Sequence, residues 1–127
     1  MRNPKELEVT KRIRKLSKEI YTLSMTFPKH ELYELGSQLR RAMDSSYLNL
    51  FEGNTSIYPK TYIKHLDSSI NSLSEISGIF DLILDRGYIT SSQYGELEKE
   101  CKEIQYVLRA ILNKTNYRAS NKDVKVF

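Results

Sequence analysis

The residues able to do chemistry are few and widely spaced. The two histidines, His30 and His65, are far apart, and the position three before His65 is Tyr62, so no Glu-x-x-His occurs. The carboxylate–histidine pattern that holds di-iron centres inside helical bundles is therefore missing. His65 reads as a helix-edge histidine. The single cysteine, Cys101, falls within an apolar helical repeat and reads as a small core hydrophobe rather than a nucleophile. No glycine-rich phosphate loop is present. These gaps predict a chain with no catalytic residue, no metal site and no cofactor.

Charge offers a different chemistry. Val9, Ile13, Leu16, Ile20 and Leu23 return every three or four residues and share one side of a helix. Lys11, Arg14, Lys15 and Lys18 fall opposite, with Arg12 at the flank. A solvated face usually mixes both signs, whereas this one is almost purely basic over two turns. Such a stripe suits phosphates, because each bound cation releases condensed counterions. The plainer reading is an ordinary wet face whose glutamates lie elsewhere. Arg40 and Arg41 are secondary cationic candidates. Arg41 has a second option, pairing with Glu52 or Glu75 within the fold.

Further along, Gln38, Arg41, Ser45, Asn49 and Glu52 step by three or four residues and form a polar ridge beside an apolar face. An internal hydrogen-bond network is the favoured account, since polar groups next to a core are normally satisfied structurally. A binding groove or subunit contact is the alternative. Ser68, Ser69, Ser72, Ser74, Ser77 and Gly78 predict close helix packing around Leu73 and Ile76. Of nine tyrosines, Tyr62 and Tyr94 fit the core, while Tyr33, Tyr47 and Tyr106 lie off the apolar faces and could serve a partner surface.

Helices must position all of these groups. No period-two strand pattern occurs, and the apolar spacings predict helices over about 5–24, 29–51, 57–86 and 91–113. Gly53 and Gly87 are expected to end the second and third helices. Ser56 and Pro59 open the third, and Thr90 with Gln93 makes a capping-box pattern for the fourth. Three short connections imply antiparallel neighbours, hence an all-α, up-down-up-down four-helix bundle over 1–116. Residues 117–127 read as a flexible basic tail. The 127 residues suit one domain. The polar opening residues and single cysteine point away from secretion and towards the cytoplasm, and no stretch is apolar enough to span a membrane. The net charge of +4 is unevenly placed: residues 1–30 carry eight Lys/Arg against three Glu, whereas 31–116 carry nine against twelve Asp/Glu. The tail adds three basic residues and one Asp.

One run of residues resembles a known family. Phe27-Pro28, Glu31, Leu35, Gln38, Arg40-Arg41-Ala42, Ser45, Asn49 and Glu52-Gly53 are similar to the four-helix-bundle proteins encoded in intervening sequences of bacterial 23S ribosomal RNA genes. Ser72, Leu73 and Glu75, then Gly87-Tyr88-Ile89, match later landmarks. The likeness spans about Ile20 to Asn113, and Gln38 to Gly53 is its most specific part. Met43, Tyr47-Leu48 and Leu50-Phe51 depart from the common form. The resemblance implies a ring-like homopentamer. It extends to the accessory protein of diversity-generating retroelements, which binds nucleic acid and its reverse transcriptase. Five copies would carry five times +4, or +20, and weak contacts would add by avidity. The reading is a non-enzymatic oligomer that binds RNA or an RNA–DNA hybrid through phosphates with little sequence preference. The alternative is a protein–protein adaptor whose basic face meets an acidic partner such as a reverse transcriptase or other enzyme.

Overall fold

The computed structural model describes the backbone of residues 4–126 and the side chains of residues 7–119. Four long helices, α1 (Pro4–Ser24), α3 (Leu35–Thr55), α4 (Pro59–Asp85) and α5 (Ser91–Val126), are joined by short connections, with α2 (Lys29–Leu32) a single turn. No strand occurs among the described residues. α1 packs on α3 and α5, and α4 packs on the same two, so the helices stand at the corners of a square. The bundle is all-α, as the periodicity predicts.

Its core comes from the apolar repeats. Ile13, Leu16 and Ile20 of α1 meet Leu39, Met43 and Leu50 of α3, Leu66, Leu73 and Phe80 of α4, and Ile104 and Leu108 of α5, all essentially inaccessible to solvent. Each such side chain contributes about 1.5–3 kcal/mol by leaving water. No described helix is long and apolar enough to cross a membrane.

Local signals set the α4–α5 corner. Gly87 adopts φ of +76°, a left-handed conformation that costs a side-chain-bearing residue energy. Tyr88 N bonds to Ile83 O at 2.9 Å and Gly87 N to Leu84 O at 3.0 Å, the Schellman closure of α4. At the start of α5, Thr90 N donates to Gln93 Oε1 at 2.8 Å and Gln93 N donates to Thr90 Oγ1 at 3.1 Å. Two otherwise orphaned backbone donors are thereby satisfied.

Three features differ from the sequence expectation. The second helix is broken at Tyr33–Glu34 into α2 and α3, and Arg40 Nη2 donates to the Leu32 carbonyl that the break frees, at 2.9 Å. Gly53 does not end its helix, since α3 continues to Thr55. A Cβ on Gly53 would stand 3.0 Å from His65 Cβ and 3.1 Å from Tyr62 Cδ1, so this glycine permits close approach of α4. Finally, α5 does not stop near residue 113 but runs to Val126. No glycine or proline follows Gly95, so nothing in the chain forces an earlier end. The stretch expected as a loose tail is helical over 117–126.

Candidate nucleic-acid interface

The side of α1 away from the core carries the basic residues, and contacts on either flank sort them. Arg12, facing α5, is held by Glu100 through Nε at 3.2 Å and Nη2 at 2.6 Å, and by Glu103 at 2.8 Å. The hydrogen bond to Glu100 is the main reason its guanidinium is held above its ordinary pKa, against the opposing effect of burial. Arg12 therefore fastens α1 to α5 rather than standing free. Lys11, Arg14, Lys15 and Lys18 are exposed, and none is in an ion pair or side-chain hydrogen bond among the described residues. From Lys11 to Lys18 the stripe is about 10 Å long at 1.5 Å per residue.

The two later arginines also separate. Arg40 donates from Nη1 to Ser24 Oγ at 2.9 Å while its Nη2 holds the Leu32 carbonyl. It ties the end of α1 to α2, which removes it from the group of free cations. Arg41 is exposed and bonds to neither Glu52 nor Glu75. Five of the seven candidate cations are thus available to a ligand.

The polar ridge lies along the seam between α3 and α4. Gln38 Nε2 donates to Glu75 Oε2 at 3.5 Å, and Ser72 Oγ donates to Ser45 Oγ at 3.0 Å. Asn49 Nδ2 donates to the Ser45 carbonyl at 2.9 Å, and His65 Nδ1 bonds to Asn49 Oδ1 at 3.1 Å, with Glu52 Oε2 3.9 Å away. Deeper in, Ser69 Oγ donates to the Ser46 carbonyl at 2.8 Å. These bonds join two helices whose side chains are small enough to let them approach. Arg41, placed on the ridge by its spacing, stands outside this network.

Other groups escaped the sequence reading. Glu31, only 8% exposed, accepts from Arg86 Nη1 at 2.7 Å and from the Tyr88 hydroxyl at 2.9 Å. The Tyr88 hydrogen bond, helped by Arg86, holds the Glu31 carboxyl below its ordinary pKa despite desolvation. Tyr88 also packs on Phe27, with ring centroids 5.3 Å apart. Phe27, Glu31 and Tyr88 appeared in the sequence only as landmarks of a resemblance, with no spacing that would bring them together. Between α4 and α5, Ser77 Oγ donates to Glu98 at 2.6 Å and Tyr94 donates to Asp81 at 2.6 Å. Cys101 is buried and donates to the Leu73 carbonyl at 3.4 Å, and burial pushes its thiol up to about 12. Among the described residues no three His, Cys, Asp or Glu side chains are grouped to hold a metal ion.

The fold is an all-α, antiparallel four-helix bundle. Within that fold class, this chain belongs to the 23S rRNA-intervening sequence protein family, whose model matches residues 5–110. It is also similar to a crystal structure of a protein of unknown function from the S23 ribosomal protein family of Bacteroides thetaiotaomicron VPI-5482. That likeness has a TM-score of 0.80 at 20% identity over 86% of this chain and 98% of the other, and it shows the fold. No curated protein matches the chain. The landmarks of the resemblance fall into two structural groups: Phe27, Glu31, Arg40 and Tyr88 knit one end of the bundle, and Gln38, Ser45, Asn49, Ser72 and Glu75 knit the α3–α4 seam.

Proposed function

We propose that the chain is a non-enzymatic, cytoplasmic bundle that binds nucleic acid as a homo-oligomer. RNA or an RNA–DNA hybrid is the ligand class, held through phosphates with little base readout. The observation that carries this reading is a contrast. Arg12, Arg40 and Arg86 are each committed to a partner inside the fold, whereas Lys11, Arg14, Lys15 and Lys18 are exposed together without one among the described residues. Cations left unneutralised side by side repel one another and gain most from an anion that spans them. Phosphates spaced along a strand are such an anion. The homopentamer implied by the family resemblance would multiply the stripe.

The test is binding to structured RNA over a range of salt, by fluorescence anisotropy, with molar mass followed by light scattering. Wild type should bind with a steep salt slope, and the quadruple variant Lys11→Gln, Arg14→Gln, Lys15→Gln, Lys18→Gln should lose about 0.7–0.9 of slope for each phosphate contact removed. Unchanged binding by a fully helical variant would remove the stripe from the function. The rival adaptor reading gains if the purified oligomer binds no nucleic acid at low salt and carries none, by its absorbance ratio at 260 and 280 nm.

A further inference from the structure

The face shared by α1 and α3 is not only basic. Tyr21 is 58% exposed, Leu48 52% and Phe51 53%, large apolar groups on a part of the bundle that no other helix covers. Tyr47 and Phe51 form a ring pair with centroids 6.2 Å apart and planes tilted by 31°. The bonds Arg40–Ser24 and Asn54–Thr10 fix an antiparallel register between these helices. That register puts Arg14 level with Phe51 and Lys18 level with Tyr47. Cations on one helix thus flank rings on the other along a common axis. Among the described residues, Asp44 is the carboxylate that shares the face.

We propose that this α1–α3 face is a stacking platform for an unpaired stretch of nucleic acid, with bases on Phe51, Tyr47 and Tyr21 and the backbone along Arg14 and Lys18. The proposal rests on the phosphate-binding reading and sharpens it. A duplex presents charge on its outside and hides its base faces, so a purely electrostatic stripe has no use for exposed rings. An unpaired strand offers both phosphates and free π-faces, and ring stacking accepts any base. The platform spans about 10–12 Å along the helix axis, which accommodates roughly three stacked nucleotides. A second copy seated face to face would set Arg14 and Lys18 of both copies against each other, so only a head-to-tail contact, as in a ring, competes for this face.

Tyrosine emission gives a direct readout, since the chain has nine tyrosines and no tryptophan to mask them. Tyrosine quenching and anisotropy would be measured on wild type, Phe51→Ala and Phe51→Tyr with a 12-nucleotide unpaired oligouridylate and with a blunt RNA duplex of equal length. Circular dichroism and light scattering would be run on the same samples. Quenching by the unpaired strand, at least tenfold weaker binding of that strand by Phe51→Ala, rescue by Phe51→Tyr, and an unaltered duplex affinity support the platform. Duplex binding equal to or tighter than strand binding, indifferent to Phe51→Ala, overturns the platform and leaves the phosphate reading standing. No binding of either RNA overturns both. A folded Phe51→Ala protein that drops in molar mass with unchanged strand affinity overturns the platform too, and assigns the face to contact between copies.

Discussion

Arg12 and Glu100 are 88 residues apart in sequence and 2.6 Å apart in space, and they close the bundle by joining its first helix to its last. By periodicity Arg12 is one more member of a basic stripe. Among the described residues it is the one member of that group with carboxylates on it, Glu100 and Glu103. The surface of α1 therefore holds two kinds of cation with different work to do.

That division predicts different phenotypes for neighbouring residues. Arg12→Ala should lower stability by about 1 kcal/mol, the scale of a part-exposed bidentate ion pair, while leaving the salt slope for nucleic acid unchanged. Lys15→Gln should reduce the slope and leave stability within about 0.5 kcal/mol. Urea unfolding and salt-dependent anisotropy on both variants check the pair. A slope lost with Arg12 would return it to the ligand.

Glu31 makes stability depend on pH at the acid end. Its carboxyl has a folded-state pKa below the ordinary 4.5, chiefly through the Tyr88 hydroxyl and then Arg86. Sign follows from linkage: the contribution is present above the ordinary value and disappears as pH falls through the depressed one. Glu31→Gln should melt well below wild type at pH 7, and the two curves should converge towards pH 3. A melting gap that stays constant from pH 7 to pH 3 would show that the charge is not what holds this end together.

Two glycines in helix interiors should respond oppositely to alanine. Gly53→Ala places its Cβ 3.0 Å from His65 Cβ, so α3 and α4 must part slightly, at a cost of about 1–3 kcal/mol. Gly78 has open space at its Cβ position, and Gly78→Ala should stabilise by about 0.5–1 kcal/mol. Denaturant midpoints decide it, and equal shifts in one direction would refute the close-approach account.

Cys101 should be unreactive until the bundle opens. With its thiol buried and pushed up to about 12, a disulfide reagent at pH 7.5 should label it at the rate of unfolding. Labelling that keeps pace with an exposed thiol would mean that α5 leaves the core in the native state.

Much of the bundle is legible from spacing, because burial repeats with the helical period. The residues at Ile13, Leu16 and Ile20, or Leu66, Ile70 and Leu73, identify their inner faces without help from any other helix. The polar ridge is legible for the same reason, though only as a ridge; the partners Ser72 and His65 depend on how α4 is turned. What the chain conceals are relations between distant segments. Glu31 with Arg86, and Arg12 with Glu100, are ion pairs between helices whose relative rotation no local pattern states. The break at Tyr33–Glu34 is hidden because Leu32, Leu35 and Leu39 keep the helical rhythm across it. Gly53 shows the hazard of a sound rule: glycine ends helices when left-handed, and here it is helical and serves closeness instead. Leu48 and Phe51 depart from the family's common form, but their joint exposure beside Arg14 and Lys18 needs the α1–α3 register.

The square arrangement, in which α1 rests on α3 and α5, also dictates when the molecule can be completed. As the chain leaves the ribosome, α1 can meet α3 early, but the part of its inner surface that faces α5 waits for a neighbour that is made later. Until Glu100 and Glu103 emerge, Arg12 lacks both of these acceptors and the side of Leu16 and Ile20 that α5 will cover is open to water. The newborn protein thus ends its synthesis as an unfinished three-cornered assembly of α1, α3 and α4 with a sticky, basic flank. Its window for misassembly, or for capture by another molecule, closes only with the arrival of the fourth corner.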